Sequence, residues 1–410
     1  MEPISTDGAQ PLASLRSAEA PIRSLWPFHG EDEIAAVSRI LRSGRVNALL
    51  HGEHRAAFED QFAAYIGGAY AIAVANGTLA LELALRALGI GVGDEVIVTP
   101  RSYFASVSCI VAVGATPVFA EIDPVSQNID PDNIARMLTP RSRAVICVHL
   151  AGWPCDMNPI MALCRQRGIK VIEDCAQALG AVYRGRKVGS FGDAAAFSFC
   201  TDKIISTGGE GGMLIVEDEA VWERAWSYKD HGKSHAKFVD TSPAPGGFRW
   251  LHDSFGSNFR MTEMQAAIGS LQLAKLPEWL AARRRNAALL DTALSGIPAL
   301  RVARPPEHIE HAYYKYYCFL RSRKGDNGEA RDAVVANLQR LHVPCGSGSC
   351  PEIYLEEAFA GVDAAIMPPL PVARRIGATS IMVPVDPSLD INDIQAMAAR
   401  FRRCLVPQAK

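Results

Sequence analysis

Lys203 lies five residues past Ser198, at the end of the apolar run Ala-Ala-Ala-Phe-Ser-Phe, and just before four glycines in five positions, Gly208 to Gly212. A lysine beyond a strand, with tight glycine backbone closing around it, can supply a neutral amine for a Schiff base once its pKa is depressed. A hairpin turn with a solvated lysine gives the same local pattern. Asp174 ends the run Lys-Val-Ile-Glu-Asp that starts at Lys170. The carboxyl end of a strand is where α/β sheets place their ligands, and an acid there can pair with a protonated ring nitrogen. A turn or helix-cap acid reads the same way. Asn76-Gly77-Thr78 joins a strand pattern to a helix pattern, a place where free N–H groups and the helix dipole favour a phosphate. The structural alternative is an N-cap threonine at Thr78. Ser198 can offer a hydroxyl to the same phosphate, and the segment from Gly256 to Thr262 leads into a helix with Thr262 as its cap.

Positioning these groups requires a buried sheet. From about Ala69 the chain alternates AYAIAVAN, TLALELALRAL, EVIVTP, FASVSCIVAV, TPVFAEID, RAVICVHL, DMNPIMALCRQRG and KVIEDCA. Near-continuous Val, Ile and Ala runs between amphipathic helices are what a sheet covered on both faces demands. The fold class is α/β with a mostly parallel sheet. AAAFSF and GGMLIVED are joined only by the glycine-rich loop, too short for a parallel crossover, so at least one of them runs antiparallel. A flexible leader is expected over 1–25, a large domain over 26–295 and a smaller C-terminal α+β domain over 296–410. The stretch from Ser234 to Gly256, rich in Pro and Gly, is long enough to be functional or to touch a partner.

Other classes are disfavoured by composition. The 410 residues are 49% hydrophobic and 21% charged, with a formal net charge of −2, which gives no electrostatic case for nucleic acid or an anionic membrane surface. A small-molecule partner is the better expectation. No apolar run approaches the roughly 20 residues that cross a bilayer. The first residues lack the pattern of a secretory signal, and the ten cysteines form no C-x-x-C pair, which reads as reduced thiols in a cytoplasmic protein. There is no P-loop. The glycines near Gly89 have the wrong spacing and setting for a dinucleotide fingerprint, and the histidines show no zinc spacing, so no metal is expected.

With these features in this order, the chain resembles the fold type I pyridoxal phosphate enzymes, and among them the DegT/StrS sugar aminotransferases. The likeness runs through GTLALELALRALGIGVGDEVIVTP, GATPVFAEID, VIEDCAQALGAVYRGRKVGSFGDAAAFSF, KIISTGGEGGMLIV and NFRMTEMQAAIGSLQLAKL, about two thirds of the chain. It implies a mixed, mostly parallel seven-stranded sheet between helices. It implies pyridoxal 5′-phosphate as cofactor, with Lys203 holding it as a Schiff base and moving the proton. Asp174 would keep the pyridine nitrogen protonated, Gln177 would sit beside the ring hydroxyl, and Tyr103 would stack on the ring. Gly77, Thr78 and Ser198 would cradle the phosphate. Asn258 matches an asparagine that reaches the phosphate of the neighbouring subunit, so a homodimer with shared sites is implied. The reaction implied is transfer of an amino group, from glutamate by analogy, to a keto sugar carried on a nucleotide, for a polysaccharide or glycosylated metabolite. His231, in Lys-Asp-His-Gly, is a candidate substrate contact, because related enzymes carry His-Gly near this point. Many relatives have His or Asn where Cys200 stands, and Cys175 and Cys200 receive no role. A sugar dehydratase on the same fold is the near alternative, but such relatives replace the lysine with histidine. A non-catalytic sensor is the other, and it could dispense with the acid and lysine that are both present here.

Overall fold

The computed structural model describes residues 20–240, 242, 248–321, 327–360 and 370–406. Seven strands form the central sheet: β1 (Tyr70–Val74), β2 (Glu95–Val98), β3 (Thr116–Phe119), β4 (Ser142–Val148), β5 (Lys170–Asp174), and, after the short pair β6 (Val182–Tyr183) and β7 (Arg186–Lys187), β8 (Ala194–Ser198) and β9 (Gly212–Val216). Their order is β1-β9-β8-β5-β4-β2-β3. β9 pairs antiparallel with both its neighbours, while β2, β3, β4, β5 and β8 pair in parallel. The expected reversal at the glycine-rich loop therefore falls on β9. Parallel strands aligned this way bring their carboxyl ends to one edge, and the candidate residues at 76–78, 174–177 and 198–203 all emerge there.

Side-chain alternation decides which of those residues can meet. In β5, Ile172 and Asp174 share one face, and in β8, Ala194, Ala196 and Ser198 share that same face; Ile172, Ala194 and Ala196 join the core beneath the helix Gly77–Ala87. On the opposite face Phe197 and Phe199 pack edge-on or tilted against Phe58 and Phe62, with ring centroids 4.9 to 5.5 Å apart. Burying each phenyl is worth roughly 1.5–3 kcal/mol. A one-residue slip of β8 would forfeit both and turn Ser198 away from the helix, so the aromatic cluster holds the site's register.

Beyond β9 the helix Glu263–Leu294 runs for 32 residues, with Thr262 as its cap as expected. Trp279 and Leu280 pack into the core of the central sheet. Ala287, Leu290 and Leu294 pack instead into a second core over the sheet β10 (Leu300–Val302), β12 (Tyr316–Leu320) and β13 (Ser380–Val383); β11 (Ile309–Glu310) joins β6 and β7. One helix thus spans both cores and ends at Leu294.

The expected leader needs correcting at its close. Residues 1–19 lie outside those described, but from Ala20 the chain is tied to the C-terminal part. Arg400 donates to the Ala20 carbonyl at 2.7 Å, the Ile22 N–H donates to the His342 carbonyl at 3.2 Å, and Ser24 donates to Asp386 at 2.7 Å. Ile22 is buried in the second core. Of the expected stretch 234–256, the described part includes a short helix, His235–Val239, and the exposed aromatics Phe248, Trp250 and Phe255.

Candidate active site

A cavity of about 740 Å³ opens at the carboxyl edge of the sheet, walled by Asn76, Gly77, Thr78, Ser102, Tyr103, Asp174, Gln177, Ser198 and Lys203 from the first part of the chain and by Tyr314, Lys315 and Tyr317 from the second. At its base the helix Gly77–Ala87 presents its N-terminus. Asn76, not Thr78, is the N-cap: its side chain accepts from the Leu79 N–H at 2.9 Å. Thr78 is thereby freed of the capping role and exposed toward the cavity with the first helical N–H groups, which have no intrahelical acceptor. Two glycines allow the close packing. A Cβ on Gly77 would sit 2.6 Å from the Cβ of Ser198, and one on Gly212 would sit 2.4 Å from the Asn76 carbonyl oxygen. The glycine-rich segment therefore presses β9 against this turn and brings the Ser198 hydroxyl to the helix N-terminus.

Asp174 is buried. Its Oδ2 accepts from the Ser106 hydroxyl at 2.7 Å, Oδ1 accepts from the Ala176 N–H at 3.1 Å, and Ser106 is in turn 2.8 Å from Ser102. Burial pushes the carboxyl above its ordinary pKa, against the pull of Ser106, Ala176 and the charge of Lys203. It is an acid desolvated at a cavity wall with no cation bonded to it among the described residues, a setting that a protonated heteroatom would relieve. Gln177 accepts the Ala151 N–H at 2.7 Å through its amide oxygen, which leaves its –NH2 as the group it can offer the cavity. Tyr103 stands exposed at the cavity wall.

On the other face of β5, Glu173 accepts from the N–H groups of Gly189, Phe191 and Gly192 and from His149 at 3.0 Å. The Cys155 N–H donates to His149 Nδ1, so the ring proton sits on Nε2. His149, Glu173 and Cys175 form a buried cluster of metal-ligand type, but the His149 and Glu173 atoms are already committed to hydrogen bonds that pin the loop behind Asp174.

Lys203 occupies a turn beyond β8. Its carbonyl accepts from the Trp26 indole at 2.7 Å, and its Nζ lies 3.3 Å from the Tyr314 hydroxyl and 3.4 Å from Asp202. Tyr314 donates to Asp202. Burial and then the Asp202 charge push the Tyr314 phenol far up, so it remains a donor. Although burial alone would raise the Asp202 carboxyl, Lys203 and Tyr314 bring it below its ordinary pKa. Sequence reasoning missed Asp202, Tyr314, Lys315 and Ser106. AYYKYYCFL reads only as a strand, and nothing local marks its first tyrosines as facing Lys203.

Two expected residues are not brought to this cavity by their own chain. Asn258 is exposed, bridges Asp230 through the backbone, and uses its side-chain oxygen to accept from Arg260. His231, expected as a substrate contact, is exposed in a turn with φ of 64° and donates its N–H to Ser257. Neither residue lines the cavity that Lys203 and Asp174 share, and backbone contacts within the 227–258 region hold both where they stand.

An anion seat at a helix N-terminus, a buried acid and an amine across one cavity can hold a phosphorylated cationic heterocycle and react with its carbonyl. The profile of the DegT/DnrJ/EryC1/StrS aminotransferase family matches residues 27–402. The chain belongs to this family. As a DegT/DnrJ/EryC1/StrS protein it is an aminotransferase of the pyridoxal phosphate-dependent class, as the likeness in its motifs implied. It is 37% identical over 352 residues to the GDP-perosamine synthase of Caulobacter vibrioides, covering 85% of this chain and 89% of that one. It is 32% identical to the UDP-N-acetyl-3-dehydro-alpha-D-glucosamine 3-aminotransferase of Acidithiobacillus ferrooxidans, covering 98% of this chain and all of the other. Among solved structures, an aminotransferase from Psychrobacter cryohalolentis superposes with a TM-score of 0.89 at 48% identity, covering 93% of this chain and 98% of that one. Such neighbours share the fold expected from the sequence of this DegT-type chain.

Proposed function

We propose that this protein moves an amino group, with glutamate as donor, onto a keto sugar carried on a nucleotide, using pyridoxal phosphate seated in the 740 Å³ cavity. The observation that carries this reading is the convergence of Lys203, Asp174 and the Gly77–Ser198 cradle on one cavity within a family of aminotransferases. The residues present fit such a group: Gly77, Thr78 and Ser198 would hold its phosphate, Asp174 its ring nitrogen and Gln177 its ring hydroxyl, with Tyr103 beside the ring. When bound, the group supplies an electron sink that makes a carbon–hydrogen bond next to nitrogen acidic. Lys203 would supply the attachment amine and, as a free amine, would take and return a proton at Nζ. Asp202 and Tyr314 hold that amine in place and accept a share of its charge when it is protonated. The nucleotide-linked acceptor is supported by the relatives, whose names carry GDP- and UDP-linked sugars.

An absorbance spectrum of the purified protein with pyridoxal phosphate tests the reading. A visible band is expected, and glutamate should convert it to one at shorter wavelength. A band indifferent to glutamate and to other amino acids would remove the transaminase assignment.

We also propose a homodimer in which Asn258 would serve the partner's cofactor phosphate, supported by its exposure and its place outside the lining of its own cavity. Mixing Lys203→Ala chains with Asn258→Ala chains should restore up to about a quarter of wild-type activity, because random reassortment of two inactive chains makes half the dimers mixed and each mixed dimer holds one intact site. No recovery after proven subunit exchange would remove the shared-site proposal. A cytoplasmic location is part of the same reading. Its support is ten free thiols and, among the described residues, no helix long and apolar enough to cross a membrane.

A further inference from the structure

Lys315 precedes β12 and lines the cavity beside Tyr314. Two amines lie close to the Tyr314 ring: Lys203 Nζ is 4.7 Å from its centroid and Lys315 Nζ is 4.9 Å. The two amines are not equivalent. Lys203 is bonded to Tyr314 and paired with Asp202, whereas Lys315 forms no ion pair or hydrogen bond with any described residue. Asp202 and, less strongly, Asp386 favour the Lys315 ammonium by charge without bonding to it, Asp202 being already engaged by Lys203 and Tyr314, and the charges of Arg283 and Lys203 act against it. Burial lowers the Lys315 pKa from its ordinary value. A half-buried ammonium inside a reaction cavity, without a carboxylate of its own, is a costly arrangement that an anionic ligand would relieve.

We propose that Lys315 is a specificity-determining residue that binds an oxyanion of the substrate, the carboxylate of the amino donor or the phosphate of the acceptor. This rests on the transaminase reading above, since that reaction brings anionic molecules into this cavity. The site is a single ammonium with three donors, placed beside the reacting lysine on the wall formed by the C-terminal part of the chain. It selects for charge, while the shape of the remaining wall selects among anions. Lys315→Arg keeps the charge and Lys315→Met keeps the stem without it.

The test is calorimetric titration of the cofactor-loaded protein with two unreactive probes: glutarate, a dicarboxylate, and uridine diphosphate. Loss of a hydrogen bond to a charged group should weaken the relevant probe by about 10- to 100-fold in Lys315→Met, with substantial recovery in Lys315→Arg. Weakening confined to glutarate assigns Lys315 to the donor carboxylate, and weakening confined to uridine diphosphate assigns it to the acceptor phosphate. Affinities within twofold of wild type for both probes overturn the proposal. So does loss of the visible cofactor band in Lys315→Met, because Lys315 would then act through the cofactor seat. A wild-type protein that fails to form that band would instead remove the transaminase reading itself, and the two failures are told apart before any variant is made.

Discussion

Lys203→Ala is expected to lose turnover by at least about 10⁴-fold, since in the proposed reaction one side chain supplies both the attachment amine and the proton carrier. The loss should be chemical. The cradle at Gly77, Thr78 and Ser198 and the acid at Asp174 do not depend on Lys203 for their positions: Ser198 is set by the β8 register and Asp174 by Ser106 and Ala176. The variant should therefore still bind pyridoxal phosphate, but reversibly. Borohydride reduction followed by peptide mass analysis separates the cases. Wild type should carry the cofactor on the peptide containing Lys203, and the variant should carry none. Covalent retention in the variant at another lysine, Lys315 being the nearest candidate in the cavity, would overturn the assignment.

Asp174→Asn is expected to cost about 10²- to 10³-fold in kcat, the scale of removing one preorganised electrostatic partner from a water-poor site. Its effect on the empty protein should have the opposite character. Burial holds the Asp174 carboxyl above its ordinary pKa, so the ionised form is disfavoured where it stands. Asparagine has the same shape, can accept from Ala176 and can donate to Ser106, and carries no charge to desolvate. The apoprotein should melt at the same temperature as wild type or higher, while the stabilisation gained on adding pyridoxal phosphate shrinks. A near-normal rate would make Asp174 a structural acid, and a collapse of apoprotein stability would show that its charge serves the fold.

The sequence was informative where chemistry rides on local pattern. Alternation sorts the residues of β5 that lie with Asp174 and those of β8 that lie with Ser198, while the pairing of the two strands makes those faces one; a short glycine-rich link between two strands requires the reversal seen at β9. Caps were less legible. Asn76 and Thr78 are both competent N-caps by type, and the choice between them depends on where the helix begins relative to Gly77, which the contact with Ser198 settles. The leader was misjudged at its close for a similar reason. Polar residues near a terminus give no local sign that Ile22 and Ser24 will find partners more than 300 residues away.

By itself, then, the sequence determined the sheet, its edge of strand ends, and the amine and acid placed there, because hydrophobic period and turn chemistry are local properties. Only the tertiary structure decided what surrounds that amine. Tyr314 lies 111 residues from Lys203, and Asp202 and Lys315 take on meaning only once the long helix Glu263–Leu294 has carried the chain from one core to the other and folded β12 back against the cavity. Periodicity says which face of an element is buried. It says nothing about which element that face will meet, because the meeting is fixed by the packing of whole layers.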